Sequence, residues 1–394
     1  MLSNSTTRTV ISSIQLPNGQ SYQFQYDGTY GFVSKIIYPF GGYVRYVWAL
    51  QNPWEVGDYA CGSYRYGWPV ITDRYVSYDG TNEVLHQHFS YSESYTSGED
   101  GWNSRTTTVT TYDLVRNNQY QTVYTYGNFI TQPQINDNSV SANAIPVEQE
   151  IQYYNYNGSL IKTVTKTWAG IKELLTRTIQ LNDNANNPTR KIAWQYDNNL
   201  QTTEIDNYDF GNGSPGALLR KKLISYASFG NNPWGEPSHI VDRPSQVEIE
   251  DGSGNVCSQT LYDYDQQDTQ STSGISQHDD TNYSSSFNVR GNLTEVQRWD
   301  SNTCSTSPGG NYLNTTITYD DTGQPLIMTN PRGYQTKLGY TDQDAYVSTF
   351  TDAQGDVWQR SYNQATGTLA SQTDPNNQTT SFYGSSAESM GKLA

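Results

Sequence analysis

Apolar and aromatic residues alternate with polar ones along much of the chain. In the segment 21–26, Tyr22, Phe24 and Tyr26 occupy every second position, which places the three rings on one face of a β-strand. The same alternation recurs downstream with β-branched and aromatic residues, which suit a pleated, half-buried surface. The segment 171–181 has a partly helical spacing, but it follows Ala169-Gly170 and ends in alternation. We therefore predict strands throughout, with 171–181 as the second arm of a hairpin.

Turn-forming dipeptides separate these strands at short intervals. They accept the positive φ angles of hairpin turns, and they include Asn18-Gly19, Asp27-Gly28, Asn157-Gly158, Asp251-Gly252 and Thr322-Gly323. Antiparallel hairpins are the expected result.

A repeat of about 21 residues is clearest near the C-terminus. Four tyrosines follow one another at intervals of 21, 22 and 21 residues, and turn residues recur between them. The predicted repeat-signature positions are Tyr319, Asp320, Gly323, Pro331, Gly333, Tyr340, Gly355, Tyr362, Gly367, Asp374, Pro375 and Tyr383. We interpret the tyrosines as structural ladders, since their spacing follows the repeat.

The patterns at 319–323, 329–333 and 373–375 resemble the YD repeats of the RHS proteins, a family that includes teneurins and shell-forming components of Tc toxin complexes. The segment 289–294 resembles the Gly-Asn-Leu-Thr segment that often follows the family's Tyr-Asp pair, with Phe287-Asn288 in place of that pair. The resemblance covers residues 287–384 and extends plausibly to 14–50.

This resemblance implies an all-β fold, in which tandem antiparallel hairpins form a curled or spiral β-shell that encloses a C-terminal toxin or other cargo. The implied partners are the remainder of the shell and the enclosed polypeptide. We expect three regions, 1–130, 147–267 and 287–394, with polar excursions near 131–146 and 268–286. We also expect a piece of a larger secreted or contact-delivered protein, although the sequence shows no export signal.

The composition excludes several functional classes. Lys and Arg total 23 against 39 Asp and Glu, a net charge of −16, which opposes binding to nucleic acid. No apolar run is long enough to span a membrane. The 33 tyrosines and 9 tryptophans are too many for a disordered chain.

Candidate chemistry is sparse. Cys61, Cys257 and Cys304 are odd in number and far apart, so we expect buried free thiols rather than disulfides or a zinc site. His86 and His88 share one face of a strand, a geometry that holds a metal only with a further ligand, and the sequence identifies none. Asp374-Pro375 lacks the Gly-Leu of the family's self-cleaving core segment, so it receives no protease role.

We therefore expect no catalytic residue, no cofactor and no metal ligand, and a structural rather than enzymatic role. Two alternatives stay open. One is an adhesin or carbohydrate-binding surface, with Trp54 and Trp234 as candidate contacts to cell-surface glycans because both lie in loops. The other is an acidic β-rich hydrolase, which requires paired carboxylates in one cleft.

Overall fold

The structure is a computed structural model that describes residues 9–51, 54–56, 64–66, 69–95, 102–130, 144–232, 234–383 and 392–393. These residues form β-strands joined mainly by short turns, together with one 3₁₀ turn, Asp342–Asp344. By their contacts they divide into two compact units, 1–193 with 208–217 and 194–207 with 218–394. The three-region division expected from the sequence stays a prediction.

The first unit contains the strands β1 to β13, most of β14, and β16. Their bounds are β1 Ser13–Gln15, β2 Ser21–Tyr26, β3 Val33–Ile37, β4 Tyr43–Leu50, β5 Trp54–Val56, β6 Tyr64–Tyr66, β7 Pro69–Ser77, β8 Glu83–Tyr95, β9 Trp102–Asp113, β10 Asn118–Ile130, β11 Ala144–Tyr154, β12 Leu160–Trp168, β13 Leu174–Leu181, β14 Pro188–Tyr196 and β16 Gly211–Asn212. Strands β5 and β6 pair with each other in a separate two-stranded sheet.

The second unit contains most of β15 and the strands from β17 onward. Their bounds are β15 Thr202–Tyr208, β17 Leu218–Tyr226, β18 Pro244–Asp251, β19 Val256–Tyr264, β20 Leu293–Trp299, β21 Tyr312–Tyr319, β22 Pro325–Thr329, β23 Gln335–Tyr340, β24 Val347–Thr351, β25 Val357–Asn363, β26 Thr368–Thr373, β27 Thr379–Tyr383 and β28 Lys392–Leu393.

Within each unit the strands pair antiparallel, mostly with the next strand along the chain. The hairpin predicted around residues 171–181 is confirmed, because β13 pairs with β12 and places Ile179 opposite Val164. Local sequence thus determines most of the pairing: a turn returns the chain beside the strand that it has just left.

Few side chains are fully buried. Among the described residues the buried apolar side chains are Tyr43, Val44, Val147, Val164, Val256, Phe287 and Val296. Most strand residues are half-buried, as expected for an acidic chain in which only 34% of residues are hydrophobic. Stability must therefore come largely from contacts between neighbouring strands, as in repeat proteins. No helix in the described part of the chain is long and apolar enough to cross a membrane.

The expectation of free thiols is wrong for two of the three cysteines. Cys257 and Cys304 form a disulfide, with their Cα atoms 4.0 Å apart. Val256 and Ser305 bring them together by exchanging two backbone hydrogen bonds, of 2.7 and 2.9 Å. An odd number of cysteines does not exclude a disulfide, because one disulfide and one remaining cysteine also make three. Cys61 lies outside the described residues.

Candidate functional site

Two of the repeat tyrosines, Tyr319 and Tyr340, make the same structural contact. Tyr319 ends β21, and its hydroxyl donates a 2.9 Å hydrogen bond to the carbonyl of Leu293, the first residue of β20. Tyr340 ends β23 and donates to the carbonyl of Pro325, the first residue of β22, at 2.7 Å. Each ring therefore spans the width of its hairpin and ties the end of one strand to the beginning of its neighbour.

The same contact occurs far outside the segment in which the sequence repeat is clear. We call the aromatic residues that make it the rung residues: Tyr26, Trp48, Trp168, Tyr226, Tyr264, Tyr319 and Tyr340. In two of them the indole N–H of a tryptophan replaces the tyrosine hydroxyl, at 3.0 Å for Trp48 and 2.8 Å for Trp168. The repeat thus extends through both units.

A β-bulge accompanies each of these rung residues. At Tyr319 the partner strand skips one position, because Thr318 pairs with Ile327 and Tyr319 pairs with Pro325. The same shift occurs at the other rung residues and at Tyr362. A bulge bends the strand and redirects a side chain, so the repeated bulge positions the rings in the same way in successive hairpins.

Burial favours the protonated form of the Tyr264, Tyr319 and Tyr340 hydroxyls. It raises the pKa of Tyr340 to about 12, with the nearby carboxylates of Asp320 and Asp344 contributing in the same direction. Burial likewise raises the pKa of Tyr319 and Tyr264. These hydroxyls therefore remain donors at any physiological pH.

The residue after the rung tyrosine closes the turn. The Oδ1 atom of Asp320 accepts hydrogen bonds from the backbone N–H groups of Thr322 and Gln324, at 3.0 and 2.9 Å. Gly323 has a φ of +93°, the left-handed conformation that glycine adopts without strain. This is a three-residue hairpin loop with a G1 bulge, capped by a carboxylate.

The remaining turn positions of the signature follow the same plan. Asn330 with Gly333, Asp352 with Gly355, and Asp374 with Asn377 repeat the side-chain cap and the positive φ. Pro331 and Pro375 directly follow their capping residues, where a fixed φ suits the turn. In these three turns the residue with a positive φ, a glycine or Asn377, lies three residues after the capping Asp or Asn. The prediction was wrong for Gly28 and Gly252, whose neighbours Gly31 and Gly254 adopt the positive φ.

Tyr362 and Gly367 contribute to a different contact. The rings of Tyr362 and Tyr346 stack with centroids 4.9 Å apart. A Cβ atom at position 367 would lie 3.0 Å from the Tyr346 hydroxyl, and Gly367 also has a positive φ of +70°. The glycine thus makes room for the stacked pair. The side chain of Tyr383 lies outside the described part of the structure.

The expected role of Phe287-Asn288 is wrong, because Tyr264-Asp265 forms the Tyr-Asp pair of the Gly-Asn-Leu-Thr segment. The Asp265 carboxylate accepts the backbone N–H groups of Arg290, Gly291 and Asn292, at 2.7 to 2.9 Å. Gly291 has the positive φ of a turn glycine. The turn is therefore the repeat turn, with the excursion 266–290 inserted between its two halves.

Arg290 fixes the inserted excursion. Its guanidinium donates to the backbone carbonyls of Phe287, Tyr283, Ser284 and Asp321, at 2.7 to 2.9 Å. Buried Asp321 accepts the backbone N–H and the hydroxyl of Thr272, at the far side of the excursion. Arg290 and Asp321 therefore hold the excursion against the β21–β22 turn.

Trp234 is one of the two tryptophans predicted to contact a ligand, and its side chain is described by the structure. It lies in a capped turn and is 50% exposed. Its ring makes an edge contact with Tyr283, which is 41% exposed, at a centroid distance of 5.4 Å, and it also contacts Phe287. The two exposed rings form an aromatic surface supported by the buried Phe287. The expectation that Trp54 lies in a loop is wrong, because it begins the strand β5 and pairs with Tyr66 of β6. Its side chain lies outside the described residues.

The carboxylates of the larger described cavity do not match those of a glycosidase. This cavity, of about 200 Å³ in the first unit, is lined by one carboxylate, Glu93. Glu93 forms a 2.8 Å ion pair with Arg105, whereas glycoside hydrolysis uses two carboxyl groups facing the same bond. Among the described residues that line the cavity, there is therefore no second acidic group for that reaction.

Solved structures that are similar to this chain include two crystal structures of TcdB2-TccC3 complexes. The crystal structure of TcdB2-TccC3-Cdc42 matches it with a TM-score of 0.53 and 10% identity, over 90% of this chain and 24% of that one. The crystal structure of TcdB2-TccC3-TEV matches with a TM-score of 0.52 and 9% identity, over 93% and 25%. This chain therefore spans about a quarter of the length of the solved chains that it resembles.

No protein-family model and no curated protein match the sequence. At such low identity the structural likeness shows the fold alone. The expected all-β fold class of tandem antiparallel hairpins is confirmed.

Proposed function

We propose that this chain is a non-catalytic structural segment of a β-shell of the RHS/YD-repeat type. In this proposal it belongs to a larger secreted or contact-delivered polypeptide, whose shell encloses a C-terminal toxin or other cargo. The observation that carries the proposal is the rung residue with its β-bulge, which recurs from Tyr26 to Tyr340. A turn capped by an aspartate directly follows the rung residues Tyr26, Tyr264 and Tyr319. The likeness to a quarter of the TcdB2-TccC3 chains supports it.

The physical character of the repeat suits a wall. Each rung residue ties together two neighbouring strands, and few side chains are buried. Stability then adds up from neighbour to neighbour and does not require a single large core. A wall of this kind can be extended by further hairpins without redesigning its interior.

The disulfide supports the proposed location. Disulfides persist in secreted and extracellular proteins and are rare in the reducing cytosol. The Cys257–Cys304 bond therefore fits a protein that works outside the cell.

Small-angle X-ray scattering of the monomeric chain tests the structural role. A compact globule of 394 residues has a radius of gyration of about 21 Å. The proposal predicts a clearly larger value and a distance distribution typical of a curved wall. A value close to that of the globule would contradict it.

The cargo requires a separate test in the longer polypeptide. Limited proteolysis should leave a segment C-terminal to the repeats protected while the shell is intact. That segment should become sensitive when the shell is opened with denaturant. Equal cleavage before and after opening would argue against enclosure.

The exposed aromatic surface at Trp234 and Tyr283 favours a second candidate function, binding of cell-surface glycans. Aromatic rings bury the apolar faces of sugars while their polar edges remain hydrated. A glycan array should then give a saturable signal that Trp234→Ala abolishes. Tyr156→Ala, at a residue that is 62% exposed in another turn, should leave it unchanged. No signal with the unmodified chain would exclude this candidate.

A further inference from the structure

Two histidines and one aspartate meet on one face of the sheet in the first unit. Asp73 of β7 lies directly opposite His88 of β8, and Tyr75 lies opposite His86. Because residues two apart share a face of a strand, Asp73, His86 and His88 project together. Asp73 is the third ligand that the sequence did not identify beside the two histidines.

The three side chains converge on one point. The Nε2 atom of His86 lies 2.8 Å from Oδ1 of Asp73, and Nδ1 of His88 lies 3.0 Å from the same oxygen. All three potential ligand atoms lie within 4.8 Å of one another. The side chains of Asp73 and His86 are 19% and 21% exposed, and that of His88 is 48% exposed. The cluster is thus supported from within the sheet and open to solvent at His88.

Aromatic rings hold His86 in place. Its imidazole stacks on Tyr75 with centroids 4.2 Å apart and rings nearly parallel, at 2°. On the other side it stacks on Tyr112 of β9, which pairs with His86, at 5.1 Å and 16°. A ring clamped in this way loses little further rotational freedom when it binds a ligand.

The local charges favour a cation. The guanidinium of Arg45 lies over the Tyr75 ring, 3.5 Å from its centroid, and it is paired with Glu83. The positive charge of Arg45 is therefore paired with Glu83, and Asp73 supplies a carboxylate to the cluster.

We propose that Asp73, His86 and His88 bind a divalent transition-metal ion of the type represented by Zn²⁺. Two imidazole nitrogens and one carboxylate are a ligand set that such ions accept, and the remaining position takes water. Metal–ligand distances of about 2.0–2.2 Å put tetrahedral ligand atoms roughly 3.3 Å apart. The present separations of 2.8 and 3.0 Å reach this value with small side-chain rotations. The ion crosslinks β7 and β8.

Calorimetric titration with ZnCl₂ tests the site. The titrated chain carries Cys61→Ser and retains the Cys257–Cys304 disulfide, so that no thiol contributes. We expect saturable binding of one ion per chain. His88→Ala and Asp73→Asn should each weaken Zn²⁺ binding by at least about tenfold. Loss of a residue that only hydrogen-bonds to a metal ligand already lowers the metal affinity by about that factor.

The chain offers a matched control, because it has only four histidines. Exchanging the other two, His239→Ala with His278→Ala, removes a second His–Asp contact, that of His278 with Asp280 at 2.7 Å. This double variant should bind Zn²⁺ with unchanged affinity. Binding that weakens in the control but not in His88→Ala and Asp73→Asn would overturn the proposal.

Hydrogen exchange provides a readout on the unmodified chain, in case a variant fails to fold. Saturating Zn²⁺ should slow amide exchange in β7 and β8 and leave β21 and β22 unchanged. An absence of saturable binding, or of selective protection, would show that the cluster is only a hydrogen-bonded network. This inference does not depend on the proposed shell function.

Discussion

The rung hydroxyls are the residue-scale contacts that distinguish this repeat from an ordinary series of hairpins. Those of Tyr226, Tyr264, Tyr319 and Tyr340 each donate to the carbonyl of the first residue of the neighbouring strand. A buried hydrogen bond contributes about 0.5–1.5 kcal/mol net, and an unpaired buried partner costs about 1–3 kcal/mol. Single rung residues should therefore have measurable effects on stability.

We predict that Tyr340→Phe lowers the free energy of unfolding by about 1–2 kcal/mol, because it leaves the Pro325 carbonyl without its donor. The ring and its packing are retained, so the effect isolates the hydroxyl. Urea denaturation followed by tryptophan fluorescence measures it. Tyr334→Phe is the control, since Tyr334 is 55% exposed, and it should change stability by less than about 0.5 kcal/mol. Equal effects of the two substitutions would refute the role of the rung hydroxyl.

The turn carboxylates should make the chain sensitive to acid. Hydrogen bonds from groups three or four residues later lower the pKa of Asp79, Asp113 and Asp251. A carboxyl whose pKa is lower in the folded chain contributes stability above its unfolded pKa, about 3.9. That stability is lost as the pH falls through the folded pKa. Asp344 acts in the opposite sense, since burial raises its pKa.

We therefore predict that the urea midpoint falls as the pH is lowered below about 4. The triple variant Asp79→Asn, Asp113→Asn and Asp251→Asn should show a shallower decrease, because asparagine keeps the accepting oxygen but does not titrate. Midpoints measured from pH 7 to pH 2 compare the two chains. Parallel curves would mean that other groups control acid unfolding.

At the scale of elements, sequence alone predicted what depends on short-range spacing. Alternation located the strands, and the turns at Gly19, Gly158 and Gly323 have the expected left-handed glycines. The Tyr264–Asp265 turn escaped notice because its glycine, Gly291, lies 26 positions later rather than three. The rung role of Trp48 and Trp168 was not predicted, because in both an indole N–H replaces the tyrosine hydroxyl and the repeat is visible in the sequence only as a spacing of tyrosines.

Contacts between distant elements were the part that sequence could not supply. His86 and His88 are visible as a pair, but Asp73 joins them only through the β7–β8 register. Cys257 and Cys304 are 47 residues apart, and they meet because the chain returns beside Val256 at Ser305. The number of cysteines alone does not indicate which distant segments of the chain lie side by side.

The disulfide should be a major source of stability in the second unit. A crosslink that closes a loop of 47 residues restricts the unfolded chain by about 4 kcal/mol in the loop-entropy model. We predict that a reductant lowers the thermal midpoint of the unmodified chain and does not affect the already destabilised Cys304→Ser variant. Thiol titration under denaturing, non-reducing conditions should find one thiol per chain. Three reactive thiols would contradict the pairing.

At the scale of the whole molecule, a sheet built from neighbouring strands exposes unpaired backbone groups at its edge strands. Within the described residues, β1 pairs only with β2. Three apolar residues in or just before β1 are exposed: Val10, Ile11 and Ile14 have 50%, 62% and 47% of their surface accessible to solvent. An exposed apolar edge strand is a template for pairing with another chain. In the proposed shell, the neighbouring hairpin would occupy this edge.

We predict that the isolated chain self-associates through β1 and that Ile14→Lys weakens this association, because a charged residue at an edge opposes strand pairing. Sedimentation velocity over a hundredfold range of concentration measures it. The control is Leu313→Lys, at a residue that is 46% exposed on β21, a strand paired on both sides. This substitution should leave association unchanged. A chain that stays monomeric throughout, or equal effects of both substitutions, would show that the β1 edge does not accept a partner strand.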